Sequence, residues 1–281
     1  MADVSIVLET PLLRVGEFRC APDDGAWHAT NLIGDRPHVV FPRVPVLIEH
    51  AGGTPIVTAP THTVLYNADQ QYRRELRHPR GDDCVFVELT DDALDELAAA
   101  GATLVDRKNR LTAHQAPADR RTYLLQHLLV RHLRSDAADP ALAEETAARL
   151  VLGALAPAAP ASRRGAHRRL AEAAKAEIAA EPSVSLGEVA RRVHSSAFHL
   201  ARVFRAETGF TLHGFRQTLR LRTALERLSG HRNDLTALAL ELGFSSHSHF
   251  SERFRNEFGL APSKVRDERE IRALLELAAR G

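Results

Sequence analysis

The sequence predicts an α+β protein, in which a β-rich N-terminal segment, a small barrel or jelly roll, precedes helices and an all-α C-terminal part. Residues 10–90 hold short apolar runs separated by Gly, Pro, Asn and Asp, as in strands joined by tight turns. From residue 91 onward the apolar residues recur at helical spacing instead. A chain of 281 residues is long enough to form two domains with separate cores.

Turn signals such as Gly52-Gly53 divide the first part into strand candidates. These are residues 38–41, 45–50, 55–59, 62–66, 72–77 and 84–89. Helical spacing in the middle of the chain covers residues 91–99, 117–134 and 139–155. The last third predicts helices over residues 167–180, 186–193, 197–206, 212–228, 235–242, 247–257 and 262–279.

A linker is predicted where two prolines and a glycine interrupt the pattern, at residues 157–166. The predicted domains are therefore 1–157 (barrel about 10–90, helices about 91–156), a linker at 158–167, and a helical domain at 168–281. The net charge of +1 is unevenly distributed along the chain. Residues 1–161 contain 16 Lys and Arg and 22 Asp and Glu, whereas residues 162–281 contain 21 Lys and Arg and 14 Asp and Glu. The basic C-terminal part is expected to meet a polyanion.

Composition excludes several classes of protein. A hydrophobic content of 44% with 26% charged residues is ordinary for a folded chain, so disorder is not expected. No apolar run is long enough to span a bilayer, and no secretory signal begins the sequence. Cys20 and Cys84 are too few for a disulfide framework or a four-thiolate zinc site. We expect a cytoplasmic protein.

The C-terminal part repeats itself. The pattern Leu186-x-x-Val189-Ala190-x-x-Val193 returns 49 residues later, beginning at Leu235, and Phe204-Arg205-x-Glu207-x-Gly209 returns 50 residues later. Two helices joined by a short turn, with a small residue in the first helix, form a helix-turn-helix. The repeat therefore predicts two such units, at about 186–206 and 235–257.

Each position in the repeat has a physical reason. Ala190 and Ala239 let the second helix of each unit cross closely. Gly243 supplies a positive φ in the second turn, and His194 occupies the equivalent place in the first. Ser196 and either Ser245 or Ser246 are expected to cap the second helices. The residues expected to point into the core are Leu200, Phe204, Phe250 and Phe254.

The segment 243–266, GFSSHSHFSERFRNEFGLAPSKVR, resembles the second helix-turn-helix signature of the AraC/XylS family, and the segment 186–209 is similar to that family's first unit. The resemblance covers about residues 168 to 266. Two positions depart from it: Ser246 stands where the family usually has an acidic residue, and His194 where Gly or Asn is commoner. Residues 267–280 extend past the usual end of the family as an amphipathic helix.

The resemblance implies an effector-responsive transcription regulator, and activation is the commoner mode in the family. Such a protein is expected not to be an enzyme and to have no catalytic residue, cofactor or metal. Its N-terminal domain would be a cupin-like barrel that binds the effector, followed by helices that dimerise. The implied partners are double-stranded DNA, a small-molecule effector, RNA polymerase and a second copy of the chain. For the two amphipathic helices at 117–134 and 139–155, covering the barrel and contacting a second chain are equally open.

Recognition residues follow from the register of the second helix of each unit. Arg202 can pair with guanine through two hydrogen bonds, and Phe198 matches a position that contacts a thymine methyl. The base-facing candidates are Phe198, His199, Arg202, Ser246, His247, Ser248 and His249. The phosphate-contacting candidates, which position the protein without reading sequence, are Ser196, Arg205, Arg216, Arg255 and Lys264.

For the effector pocket the sequence offers candidates without a distinctive spacing: Trp27, His62, Tyr66, Tyr72 and His78. The histidines of the barrel segment are scattered singly, so a cupin metal site is not expected. Cys20 and Cys84 are expected to be buried thiols, with redox sensing as a minor alternative.

Two other classes compete with a regulator. A cupin-type enzyme carrying a DNA-binding module would need a metal-binding triad, and a DNA-repair methyl acceptor would need reactive and zinc-bound cysteines. The sequence shows neither feature. The alternative to a regulator is a cupin-type enzyme, or a redox or metal sensor, that carries a DNA-binding module.

Overall fold

The computed structural model describes residues 2–106, 108, 110–156, 165–228 and 234–280. Most of the predicted linker lies outside these residues. The strands are Asp3–Glu9 (β1), Leu13–Cys20 (β2), Asn31–Leu32 (β3), His38–Pro42 (β4), Val46–His50 (β5), Ile56–Thr58 (β6), His62–Tyr66 (β7), Gln71–Leu76 (β8), Asp82–Leu89 (β9) and Gln115–Pro117 (β10). The helices are Asp91–Ala99 (α1), Arg120–Leu133 (α2), Pro140–Ala154 (α3), Gly165–Ala180 (α4), Leu186–Arg192 (α5), Ala197–Thr208 (α6), Leu212–Arg227 (α7), Leu235–Glu241 (α8), His247–Phe258 (α9), Pro262–Arg266 (α10) and Ile271–Arg280 (α11).

The strands form two antiparallel sheets, with the orders β1-β2-β9-β4-β7-β10 and β3-β8-β5-β6. An apolar cluster that includes Ile33, Val46, Ile48, Val64 and Tyr66 lines the space between them. The α+β order, strands first and helices afterwards, is therefore confirmed. No strand of the described residues is shared by both sheets, so closure into a barrel stays a prediction.

Strand β2 was not among the strand candidates, although it is an interior strand of a sheet, between β1 and β9. Leu13 and Val15 are buried as alternation requires, but the next inward position is Glu17, which is 4% exposed. Arg43 donates to this carboxylate at 2.6 Å and Arg134 also pairs with it. A charged residue at a buried position interrupts the alternation of apolar and polar residues that indicates a strand. Its burial is possible only because it is paired with charges that are distant in sequence.

Helices α2 and α3 cover the outer face of the six-stranded sheet. Their apolar residues form one core with sheet residues such as Val85 and Val87. Helix α11 packs against both α2 and α3, and its Ile271, Leu274 and Leu275 join the same core. The structure therefore shows these helices covering the sheet, which is the first of the two predicted alternatives.

The prediction of one helix over residues 262–279 is wrong. Helix α10 ends at Arg266 because Asp267 has an extended backbone, with φ −74° and ψ 114°, and its carboxylate accepts the backbone N–H of Arg269. This break turns α11 towards α2. There Arg121 donates to the backbone carbonyls of Ala278 and Ala279, both at 3.1 Å. These carbonyls lie at the helix C-terminus, where a positive charge is favourable.

Helix α7 makes a polar contact between the N-terminal and helical parts. The carboxylate of Glu226 accepts a hydrogen bond from the Tyr123 hydroxyl at 3.0 Å, forms an ion pair with Arg43 at 3.2 Å and lies 3.4 Å from Nδ1 of His127. One turn earlier Arg222, 1% exposed, donates to the carbonyls of Pro60 and Ala118. Both α7 side chains thus bond to groups of the N-terminal part, Glu226 to polar and charged side chains and Arg222 to backbone carbonyls.

Helix α4 makes a second polar contact with the sheets. Glu172 accepts the backbone N–H of Val57 at 2.7 Å, and Lys175 pairs with Glu172 at 3.0 Å. Val57 belongs to β6, an edge strand of the four-stranded sheet. Because edge strands have unpaired backbone groups, the carboxylate closes this edge and holds α4 against it.

We expect Glu226→Gln to lower the free energy of unfolding by about 3 kcal/mol at pH 7, because Arg43 then loses a buried counter-charge. Burial alone would raise the pKa of Glu226, but His127 and Arg43 outweigh it and lower the pKa to about 2. Its stabilisation is therefore present above the ordinary glutamate pKa and lost as the pH falls towards 2. Urea unfolding at several pH values measures both effects, with the exposed Glu252→Gln as control. A loss that stays constant down to pH 2.5 would contradict the assignment.

A second prediction concerns α11. Leu275 is fully buried against α2 and α3, whereas Leu277 on the same helix is 61% exposed. Leu275→Ala should lower the free energy of unfolding by about 2–5 kcal/mol, since it leaves a cavity in the shared core. Leu277→Ala should change it by less than about 0.5 kcal/mol. Equal effects in thermal or urea unfolding would show that α11 does not pack as described.

Candidate nucleic-acid interface and N-terminal cavity

The first helix-turn-helix unit consists of α5 and α6. Ala190, which is 3% exposed, lies at their crossing, and Leu200 and Phe204 are fully buried beneath α6. His194 in the turn has φ 53°, and Ser196 caps α6 by accepting the backbone N–H of His199 at 3.2 Å. The predicted small residue, positive-φ turn residue and cap are all confirmed.

The second unit consists of α8 and α9 and has the same construction. Gly243 has φ 78°, and Ser246, rather than Ser245, is the cap, accepting the backbone N–H of His249 at 3.1 Å. Phe250 and Phe254 are fully buried. Helix α7 joins the two units, so one chain presents two second helices that differ in their surface residues.

The outer face of α6 is open to solvent. Phe198 is 92% exposed, which is unusual for a large apolar side chain on an otherwise polar surface. Arg202, also exposed, lies one turn further along, and its Nη2 contacts Nδ1 of His199 at 3.3 Å. Among the residues that the structure describes, neither Arg202 nor Arg205 forms an ion pair with a carboxylate. Their charges are available to an external partner.

The outer face of α9 carries His247, Ser248 and His249. His249 Nδ1 lies 3.0 Å from the Ser245 hydroxyl, and His247 Nε2 lies 3.4 Å from the Ser251 hydroxyl. Ser246 is occupied as the cap, so its hydroxyl is partly committed to the helix. Base contacts by these four residues stay a prediction.

The residues predicted to contact phosphate differ in availability. Ser196 is the cap of α6, and Arg255 is exposed in the last turn of α9. Lys264 forms an ion pair with Glu270 at 2.5 Å, which raises its pKa. Arg216 is half-buried, with Nε and Nη2 enclosed, and burial lowers its pKa. A phosphate contact by Lys264 or Arg216 would first need a rearrangement of its side chain.

Between the two sheets lies a cavity of about 250 Å³, and two of the five effector candidates, Tyr66 and Tyr72, line it. Their rings are 5.0 Å apart. The other three lie elsewhere. Trp27 is buried beside the cavity with its indole N–H donated to the Ala21 carbonyl at 2.7 Å, His62 faces Lys175 and Arg222 of the helical part, and His78 lines a cleft beside α7.

Most of the cavity wall was not among the predicted pocket residues. Asp82, Cys84, Phe86 and Glu88 all line it, because alternate residues of β9 face the same side of the sheet. The alternation of this strand was the available signal. It was obscured because the intervening residues Val85 and Val87 are also buried, on the opposite face.

Both cysteines are buried free thiols, as expected, and burial raises the pKa of each. In the part of the chain that the structure describes, no three His, Cys, Asp or Glu side chains lie close enough together to hold a metal ion. No described helix is both long enough and apolar enough to cross a bilayer.

Two helix-turn-helix units in tandem, each with an exposed second helix, define a DNA-binding class of domain. A family profile described as "Helix-turn-helix domain" matches residues 189–268. The multiple antibiotic resistance protein MarA of Escherichia coli is 30% identical over 86 residues, which are 31% of this chain and 68% of MarA. The chain belongs to the AraC/XylS family.

Another relative is the HTH-type transcriptional activator RhaS of Escherichia fergusonii, 34% identical over 88 residues, which are 31% of this chain and 32% of RhaS. The chain thus matches about a third of the length of RhaS. Among solved structures, fatty-acid-bound ToxT from Vibrio cholerae is 11% identical with a TM-score of 0.38, over 90% of this chain and 94% of ToxT. At this TM-score the likeness is loose, and the family assignment rests on the sequence relatives.

The two turns provide a matched pair of substitutions. His194→Gly should leave the protein as stable or raise its free energy of unfolding by up to about 1 kcal/mol, because glycine adopts a positive φ without strain. Gly243→Ala should lower it by about 1–2 kcal/mol. A methyl group at residue 243 would lie 3.5 Å from the Arg220 guanidinium, an ordinary contact, so the cost is conformational. Thermal unfolding of both variants tests this, and a destabilised His194→Gly would contradict it.

Proposed function

We propose that the chain is a sequence-specific DNA-binding transcription regulator, which inserts α6 and α9 into successive major grooves. The observation that carries the proposal is the exposure of both outer faces, at Phe198 and Arg202 and at His247 and Ser248. Family membership and the basic C-terminal part support it.

The spacing of the two units supports binding by a single chain. Helix α7 has 16 residues, and at 1.5 Å per residue it spans roughly 24 Å. With its flanking turns, it could separate the two recognition helices by about 34 Å, one turn of DNA. Because the residues on α6 and α9 differ, the DNA site of one chain is expected to be asymmetric.

Within this proposal α6 is the principal reader of sequence. Arg202 pairs with a guanine, and Phe198 contacts a thymine methyl group in the major groove. His199 faces the same groove, and His247, Ser248, His249 and Ser246 of α9 face the second. Ser196, Arg205, Arg216, Arg255 and Lys264 contact phosphates and set the register.

We also propose that a small-molecule effector binds in the cavity between the sheets and regulates DNA binding. The route is short. Strand β4 contributes His38, Val40 and Pro42 to the cavity wall, and the next residue, Arg43, forms the ion pair with Glu226 of α7. A ligand that shifts β4 therefore acts directly on the contact that positions the helix between the two helix-turn-helix units.

The proposed role is that of a cytoplasmic activator that contacts RNA polymerase and acts as a homodimer. Activation is supported by the relative RhaS, named as a transcriptional activator. Since α11 covers α2 and α3, a dimer needs another surface. Strand β1 offers one, because it is an edge strand on which Val4 is 58% exposed and Ile6 is 44% exposed.

The test compares two arginines of α6. The binding site is first located by footprinting on the DNA upstream of the gene, and affinities for this site and for random DNA are then measured by fluorescence anisotropy. Arg202→Ala should weaken the specific site by about 1–3 kcal/mol and leave random DNA little changed. Arg205→Ala should weaken both alike and lower the salt dependence by about one phosphate contact.

Equal losses on both DNAs for Arg202→Ala would make it a phosphate contact. No protection of upstream DNA under any condition, with or without small molecules, would overturn the regulator proposal itself.

A further inference from the structure

The cavity between the sheets has a charge character that restricts its ligand. Its polar lining consists of His38, Thr58, Tyr66, Tyr72, Asp82 and Glu88, and the rest of its wall is apolar or glycine. Two carboxylates, two phenols, an imidazole and a hydroxyl thus supply the polar groups, and the Thr58 hydroxyl is already bonded to the Val46 backbone. No lysine or arginine of the described residues lines the cavity, so a ligand carboxylate or phosphate would find no counter-charge there.

Nearby arginines are committed to other partners. Arg74, 4% exposed, contacts Asp82 at 3.4 Å, and its guanidinium lies over the rings of Phe18 at 4.7 Å and Trp27 at 5.2 Å. Phe18 also lines the cavity, so an aromatic ring stacked on Arg74 belongs to the wall. At the other end Arg14 pairs with Glu88 at 3.5 Å but lies outside the lining. The two guanidinium groups therefore contact the carboxylates from outside the lining. His38, whose Nε2 lies 3.4 Å from Glu88, is the basic side chain in the lining itself among the described residues.

Tyr66 offers a hydroxyl to a ligand in the cavity. The residue is 5% exposed and lines the cavity, and its hydroxyl forms no hydrogen bond to another described residue, so it is available to a polar group of the ligand. Burial raises the pKa of Tyr66 well above its usual value and that of Tyr72 to about 12, so both phenols are neutral and can donate or accept.

We propose that the ligand of this cavity is a small organic amine, bound as its ammonium ion, with an apolar body. The ammonium lies among Asp82, Tyr66 and Tyr72, where it receives a carboxylate, hydroxyl acceptors and aromatic faces, all of which favour a cation. The apolar body fills the region of Val40, Val46, Ile48 and Val64. This inference rests on the proposed function, because it names the chemical class of the proposed effector.

Ligand charge can be tested at nearly constant shape. Benzylamine, benzyl alcohol and benzoate have similar apolar bodies and differ in charge at pH 7.5. Isothermal titration calorimetry with the unaltered full chain should show that benzylamine binds at least about tenfold more tightly than benzyl alcohol, as expected for a hydrogen bond to a charged group. Benzoate should bind more weakly than either. Benzoate binding best, benzyl alcohol matching benzylamine, or no binding of benzylamine would each overturn the proposal.

Variants locate the bound amine. Tyr72→Phe keeps the ring and removes a hydroxyl, and Asp82→Asn removes a charge; both should lower the affinity for benzylamine several-fold while leaving that for benzyl alcohol within about twofold. Glu75→Gln, an exposed carboxylate on β8 outside the cavity, is the matched control and should change neither. Because Asp82→Asn leaves Arg74 without its partner, circular dichroism must first show that it folds. Unchanged benzylamine affinity in folded Tyr72→Phe and Asp82→Asn would place the ligand elsewhere and overturn the proposal.

Footprinting in the same buffers separates this inference from the regulator proposal. Protection of DNA that no amine alters, together with failed amine binding, overturns the ligand class and leaves the regulator standing. Amine binding without protection of any DNA overturns the regulator proposal and leaves the ligand class standing.

Discussion

The carboxylate of Glu226 lies between the two parts of the molecule and connects them. It is on the helix that joins the helix-turn-helix units, and its partners Arg43, Tyr123 and His127 all belong to the N-terminal part. A buried carboxylate needs every one of its contacts, because an unpaired charge in the interior costs several kcal/mol. The position of the DNA-binding part relative to the sheets is consequently fixed by directional polar contacts, which apolar packing alone would leave less defined.

This contact also explains how a cavity between two sheets could influence helices far from it in sequence. Arg43 follows a strand that lines the cavity, and Glu226 is on the helix whose ends lead into both helix-turn-helix units. Helix α11 adds an apolar contact at the far end of the same interface. The helical part therefore contacts the N-terminal part at several places, among them α4, α7 and α11, while the outer residues of its second helices, such as Arg202 and His247, stay exposed.

Much of the helical part could be predicted from the sequence because its signals are local. A capping serine, a positive-φ residue and an apolar spacing of four lie within one unit, and His194, Gly243, Ser196 and Ser246 all behave as their residue types indicate. The sheets were harder. Strand β2 was missed because Glu17 is buried through partners 26 and 117 residues away, and separations of that length leave no local pattern. The break at Asp267 was missed because charged residues on both sides suit a helix equally well.

By itself, the sequence determined the order of strands and helices, the two helix-turn-helix units and the residues on their outer faces, since each depends on neighbours within about a dozen positions. Tertiary structure decided which arginines beyond the local helix pairs remain available to DNA, since Arg192 looks like Arg202 and Arg205 in sequence but also pairs with Glu177 and Glu181, 15 and 11 residues away. It also decided which effector candidates meet: Tyr66 and Tyr72 share a cavity with Asp82, while His62 and His78 face the helical part. Both outcomes depend on charges and rings brought together across the fold, and the spacing of residues along a chain does not record such distances.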